Sequence, residues 1–231
     1  MNSIPRPSPN QDDRGGAAVD MLVLHYTGMQ SGADALARLC DPSARVSAHY
    51  TIDEDGAVYA MVPQDRRAWH AGLSYWAGAR DINARSIGIE LVNPGHEFGY
   101  RPFPDAQITS LITLAHDILA RHAIPAWRVL GHSDVAPARK DDPGELFPWA
   151  RLAAEGIGLW TKPGDTDPGE AAVPGLLTHY GYDPDAPPEK AITAFQRHFR
   201  PSRVDGMADA ETRRVLSGLI ALYAAQKGER A

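Results

Sequence analysis

The 231-residue chain carries 23 Lys and Arg against 29 Asp and Glu, a formal net charge of −6, so it offers no general attraction to nucleic acid or to an anionic membrane surface. A single cysteine, Cys40, rules out an internal disulfide framework and fits a reducing compartment. No window reaches the run of about eighteen apolar residues that a membrane-spanning helix needs, so membrane insertion is not expected.

Residues 1–18 are rich in Pro and polar side chains and read as a flexible or wrapping arm. They have neither the apolar core nor the small-residue cleavage site of a secretory signal. A cytoplasmic location is therefore expected, with the periplasm or cell envelope as the alternative if a leader is missing from this sequence. The apolar run Met21-Leu22-Val23-Leu24 predicts a strand over about 20–25 that ends in His25. A helix over about 33–40 follows, then a hairpin over 48–62 turning at Asp53-Glu54-Asp55-Gly56. A long loop from Asp65 to Arg85, with Trp69, Tyr75 and Trp76, is expected beside a cleft.

The strand predicted over 86–92 places Ile87, Ile89 and Leu91 on one parity and Gly88, Glu90 and Val92 on the other, a mixed face that suits a carboxylate at a cleft. Ile108, Leu111, Ile112, Ala115, Ile118 and Leu119 recur at helical spacing and predict a helix over about 105–122, before a short strand over 128–132. Strands alternating with helices imply an α/β domain over residues 19–160, a mixed central sheet flanked by helices. Residues 161–171, dense in Pro, Gly and Asp, read as a linker. Three helical patterns over 173–180, 188–199 and 210–225 then predict a small all-α three-helix domain spanning 172–231.

His25 and His132 both stand at the ends of apolar strands. Lys140 and Asp142 follow His132 by eight and ten residues on a Pro-bounded loop, so imidazole, ammonium and carboxylate can reach one point. Imidazole nitrogen and carboxylate oxygen both suit zinc, which in catalytic sites takes three protein ligands. Each histidine alone reads equally as a hydrogen-bonded strand end. The run Arg139-Lys140-Asp141-Asp142 alone reads as a solvated charge cluster.

Further segments extend the pattern: Val46-Ser47-Ala48-His49-Tyr50, Ala68-Trp69-His70-Ala71-Gly72 and Ser86-Ile87-Gly88-Ile89-Glu90-Leu91. Over about residues 19–160 the chain resembles the zinc-dependent N-acetylmuramoyl-L-alanine amidases of the AmpD-like, type 2, family, whose fold is shared with peptidoglycan recognition proteins and phage T7-type lysozyme. The resemblance implies one zinc per chain, held by His25, His132 and Asp142. It makes Glu90 the general base and Lys140 the group that stabilises the oxyanion. The bond cut is then the amide joining the lactyl group of N-acetylmuramic acid to L-alanine in peptidoglycan fragments or polymer.

Trp69, His70 and Asn93 are expected to contact substrate, and His49 to stand behind the ligands or serve structure. Some relatives carry a tyrosine where this chain has Ala48, which leaves the base chemistry to Glu90. His96, His116, His122, His179 and His198 fit no ligand spacing and read as surface or structural. Gly181-Tyr182, Ala194 to Phe199, Asp205-Gly206 and Asp209 to Thr212 resemble the peptidoglycan-binding domain 1 family. A monomer is expected. The competing readings are a non-catalytic peptidoglycan receptor of the same fold, an amidase that cleaves the wall itself in the envelope, and a zinc peptidase cutting within the stem peptide.

Overall fold

A computed structural model of the chain describes residues 3–228. Residues 1–2 and 229–231, the ends of the expected arm and of the expected helical domain, lie outside the described residues. In chain order the strands are β1 (Ile4–Pro5), β2 (Gln11–Asp13), β3 (Met21–Tyr26), β4 (Tyr50–Ile52), β5 (Val58–Ala60), β6 (Arg66–Ala68), β7 (Ser86–Leu91) and β8 (Val129–Gly131). The helices are α1 (Gly32–Cys40), α2 (Ile82–Arg85), α3 (Gly95–Phe98), α4 (Asp105–Arg121), α5 (His132–Val135), α6 (Trp149–Ala154), α7 (Val173–Tyr180), α8 (Pro188–Phe199) and α9 (Ala210–Lys227).

The sheet runs β1-β5-β4-β7-β3-β8, with β4, β7, β3 and β8 mutually parallel and the β4–β5 hairpin antiparallel. This is the mixed α/β architecture that the alternation of strands and helices implies. Met21, Leu22, Val23 and Leu24 are all 0% exposed. A parallel strand covered on both faces has to be apolar at successive positions, which is why this run does not alternate. On one face Leu22, Leu24, Ile87, Ile89 and Leu91 pack against the apolar stripe of α4, formed by Ile108, Leu111, Leu114, Ala115 and Ile118.

The opposite face, carrying Met21, Val23 and Leu130, belongs to one core with Val173, Leu177, Tyr180, Phe195, Leu216 and Leu219 of α7, α8 and α9. The three helical segments therefore form where their periodicity predicts, but they share a core with the sheet. Trp76 joins the two parts: it is 0% exposed and meets Tyr180 and Tyr182 edge-on at centroid distances of 5.4 and 5.1 Å. Gly181, with φ at +145°, passes so close that a Cβ there would lie 2.7 Å from the Trp76 ring. Trp76 thus lies in the core, away from the cleft where the long loop was expected to place it.

Packing fixes two further segments, the stretch read as a linker and the arm read as flexible or wrapping. The stretch 161–171 lies against α9, where Gly164 N–H donates to the Arg214 carbonyl at 2.7 Å and Asp167 pairs with Arg213 at 2.6 Å. The arm is not flexible over its described part. β1 pairs with β5, β2 pairs with β6, and Arg14, 7% exposed, donates to the carbonyls of Gln64, Asn83, Ala84 and Ser86. Four carbonyl acceptors compensate a guanidinium taken out of water, which is how so polar a segment is held down.

Candidate active site

Ligands gather outside the carboxyl ends of parallel strands, and the predicted residues meet there. β3 delivers His25, β7 delivers Glu90 directly beside it in register, and β8 leads into His132 at the start of α5. Neighbours in register point to the same face of a sheet, so the imidazole and the carboxylate share one wall. The loop after α5 returns Asp142, tied back by the Ser133 N–H bond to the Asp142 carbonyl at 2.9 Å. His25 Nδ1 lies 3.0 Å from His132 Nδ1 and 3.0 Å from Asp142 Oδ2, and His132 Nδ1 lies 3.1 Å from that same oxygen.

The hydrogen bonds behind these atoms assign the protons. Ser86 donates its hydroxyl hydrogen to the Ile82 carbonyl at 2.7 Å, so toward His70 Nε2, 3.1 Å away, it can only accept. His70 then carries its proton on Nε2 and offers Nδ1 to His25 Nε2–H at 3.0 Å. On the other side His132 Nε2–H donates to the Ala71 carbonyl at 3.0 Å. Both Nδ1 atoms therefore present lone pairs to each other and to a carboxylate. Burial, with His132 adding to it, pushes His25 down to about 4, and His70 is held well below the usual imidazole range by burial and by His25.

Three lone pairs about 3 Å apart with no proton between them repel unless a cation sits among them. Nitrogen and oxygen ligands about 2.0–2.1 Å from a tetrahedral zinc lie roughly 3.3 Å from one another. The donor set and its spacing therefore fit a divalent metal, and these residues are the one such cluster among the described residues.

A cavity of about 370 Å³ opens over the cluster, lined among others by Tyr26, Arg38, Trp69, Glu90, Arg139 and Lys140. Glu90 is half-buried, and its Oε2 is enclosed without a hydrogen-bond partner. Burial and then the negative Asp142 push its carboxyl well above the ordinary range, while Lys140 pulls it back. The Lys140 backbone N–H donates to the Ala136 carbonyl at 3.1 Å, and its ammonium group, on the cavity wall, makes no hydrogen bond or ion pair among the described residues.

The sequence matches the N-acetylmuramoyl-L-alanine amidase family over residues 15–145. The chain belongs to that family. It is 41% identical to N-acetylmuramoyl-L-alanine amidase AmiD of Escherichia coli strain K12, over 89% of this chain and 83% of that protein. The solved complex of Escherichia coli AmiD with anhydro-N-acetylmuramic acid-L-Ala-D-gamma-Glu-L-Lys superposes with a TM-score of 0.80 at 40% identity, covering 90% of this chain and 92% of that one. The 1,6-anhydro-N-acetylmuramyl-L-alanine amidase AmpD of Enterobacter cloacae is 37% identical over 64% of this chain and 87% of its own length. The chain is thus an amidase, and the expected enzyme class stands.

Within this family member, one expected substrate contact, Asn93, needs correction, and another, His70, is held by partners of its own. Asn93 is 0% exposed; its amide donates to the Arg101 carbonyl at 2.7 Å and its oxygen accepts Gly95 N–H at 3.1 Å, so it shapes the turn after β7 and cannot touch substrate. His70 edges the cavity, but both its ring nitrogens are engaged, by His25 and by Ser86. Its ring lies flat over β7, where a Cβ on Gly88 would sit 2.5 Å from it. Only glycine fits there. A glycine inside an apolar strand signals such a close approach, and that was the available clue to His70. Trp69 lines the cavity as expected, with the Arg45 guanidinium 5.8 Å from its ring centroid. Nothing in the residue pattern marked Tyr26, Arg38 or Arg139 as lining residues.

His49 stands away from the cavity at 0% exposure, with Gly88 N–H donating to its Nδ1 at 2.9 Å. Burial, assisted by the Arg14 charge, pushes it down to about 3. An unfolded chain binds that proton near pH 6.5, so between about pH 6.5 and 3 the unfolded state holds more protons. Stability present above pH 6.5 is then lost as the pH falls toward 3, by on the order of 4 kcal/mol from this group. Urea unfolding at a series of pH values should show this slope, and His49→Gln should flatten it.

Proposed function

We propose that the chain is a zinc-dependent amidase that hydrolyses the bond between the lactyl group of N-acetylmuramic acid and L-alanine, with soluble 1,6-anhydro-muropeptides as preferred substrates. The observation that carries this reading is the three-way convergence of His25 Nδ1, His132 Nδ1 and Asp142 Oδ2 as lone pairs, beneath a cavity that also holds Glu90 and Lys140. The anhydro-muropeptide bound to a relative of matching fold supports the substrate class.

His25, His132 and Asp142 would hold the zinc, which would supply Lewis acidity to the reaction. Glu90 accepts a proton from the water that attacks the lactyl carbonyl. Lys140 faces the carbonyl oxygen as negative charge grows on it. When the carbon–nitrogen bond breaks, Glu90 returns its proton to the departing nitrogen of L-alanine. One water is consumed, and the products are a free lactyl carboxylate and a peptide with a new amino terminus.

Glu90→Gln should retain about one zinc per chain while kcat falls roughly 10²- to 10⁴-fold, the worth of a positioned general base. Unaltered turnover in that variant would require another base. Product analysis separates the other readings: release of the anhydro-sugar with its lactyl group intact supports the amidase, a shortened muropeptide marks a peptidase, and no product marks a receptor. Rates on anhydro-muropeptides, reducing muropeptides and intact sacculi rank the substrates. We keep the cytoplasm as the expected compartment, on the single cysteine and a soluble substrate. Recovery of the native protein in the envelope fraction together with a preference for sacculi overturns that assignment.

A further inference from the structure

The helical part of the chain grips the ligand-bearing segment at residues that take no part in the chemistry above. Asp134, two residues after His132 in α5, is 1% exposed. Its Oδ1 accepts the Tyr182 hydroxyl at 2.6 Å, and its Oδ2 accepts Gly131 N–H and the His198 Nδ1–H, both at 2.7 Å. The His198 ring is clamped against Trp149, with centroids 3.7 Å apart and planes 19° from parallel. Further along the same segment, Arg197 pairs with Asp141 at 2.7 Å, the residue between Lys140 and Asp142.

Building on the zinc reading, we infer that Tyr182, Arg197 and His198 are positioning residues of the metal site. The helical part, through α8 and the turn before it, sets where His132, Lys140 and Asp142 stand relative to one another. A carboxylate as buried as Asp134 is tolerated only while its donors remain. Two of its three come from residues 182 and 198. Without them the buried carboxylate is left short of donors and α5 shifts toward water, which moves His132, whose backbone precedes it in the same turn. The Ser133 bond to the Asp142 carbonyl then carries the displacement to a second ligand. The helical part thus serves the active site itself, apart from any role in gripping polymer.

The test uses the full chain and its variants Tyr182→Phe, His198→Ala and His198→Asn, the last offering a side-chain amide close to the lost Nδ1 donor. Zinc affinity is measured by competition with a chromophoric chelator. The absorption of the Co²⁺-substituted protein reports ligand geometry, and thermal unfolding reports folding separately. His198→Ala and Tyr182→Phe should each weaken zinc by roughly 10- to 100-fold, the usual effect of losing a group behind a ligand. They should also shift the Co²⁺ spectrum and lower kcat on a soluble muropeptide more than they change KM, and His198→Asn should restore much of all three. Zinc affinity within twofold of the parent in both variants, with an unchanged Co²⁺ spectrum, overturns the inference even if the melting temperature falls. A parent protein that binds no zinc overturns the zinc reading itself, and the two failures are told apart by that single measurement.

Discussion

Replacing His132 and Asp142 together by alanine is expected to take bound zinc from about one per chain to none and turnover to background. The two residues supply two of the three converging lone pairs. A single imidazole left at His25 should bind zinc on the order of 10⁴-fold more weakly or worse, given that complete protein sites reach about 10–16 kcal/mol. Stability should change less than a simple loss of contacts would imply. Without metal the triad is a cluster of mutually repelling acceptors 3.0–3.1 Å apart, so the double variant should unfold within about 1–2 kcal/mol of the metal-free parent. Metal analysis and denaturant titration read both quantities. Stoichiometric zinc in the double variant would sink the ligand assignment.

Ending the chain after residue 160 should leave a protein that does not fold to a cooperative, soluble state. The cut uncovers the sheet face carrying Met21, Val23 and Leu130, together with Trp76 and Ile82, each 0% exposed in the whole chain. At about 1.5–3 kcal/mol for each large apolar side chain, re-exposing five of them is on the order of 10 kcal/mol, comparable to the entire stability of a typical domain. The cut also strips two of the three donors from Asp134. Circular dichroism melting and gel filtration of the truncated chain test this, and a sharp two-state transition near that of the full chain would refute it. Trp76→Ala measures one element of the same interface and should cost about 3–5 kcal/mol.

What the chain announces by itself is local. Met21 to Leu24 form a strand because a run of apolar residues ending in a polar one has few other uses. α4 and α8 follow from apolar positions at helical spacing, and α8 begins and ends where its pattern does. His25, Glu90, His132, Lys140 and Asp142 were named through the family resemblance of their motifs, since strand ends and a Pro-bounded loop alone left each open to a structural reading, and the structure brings them to one place.

Groups whose meaning depends on a partner far along the chain were not legible. Asn93 has the composition of a substrate contact and becomes a turn support only because Arg101 O and Gly95 N–H close on it. His70 is the partner of His25 because Gly88 leaves room for its ring and Ser86 fixes its proton. The arm is held by four carbonyls that meet only after β7 and α2 have formed. His198 reads as one more helix histidine until Asp134, 64 residues earlier, is buried against it. Periodicity reports which side of an element is apolar, and it carries no information about which other surface that side will meet. The partnership between sheet and helical part is settled by burial of their complementary apolar faces, a property of the assembled chain that no window of sequence contains.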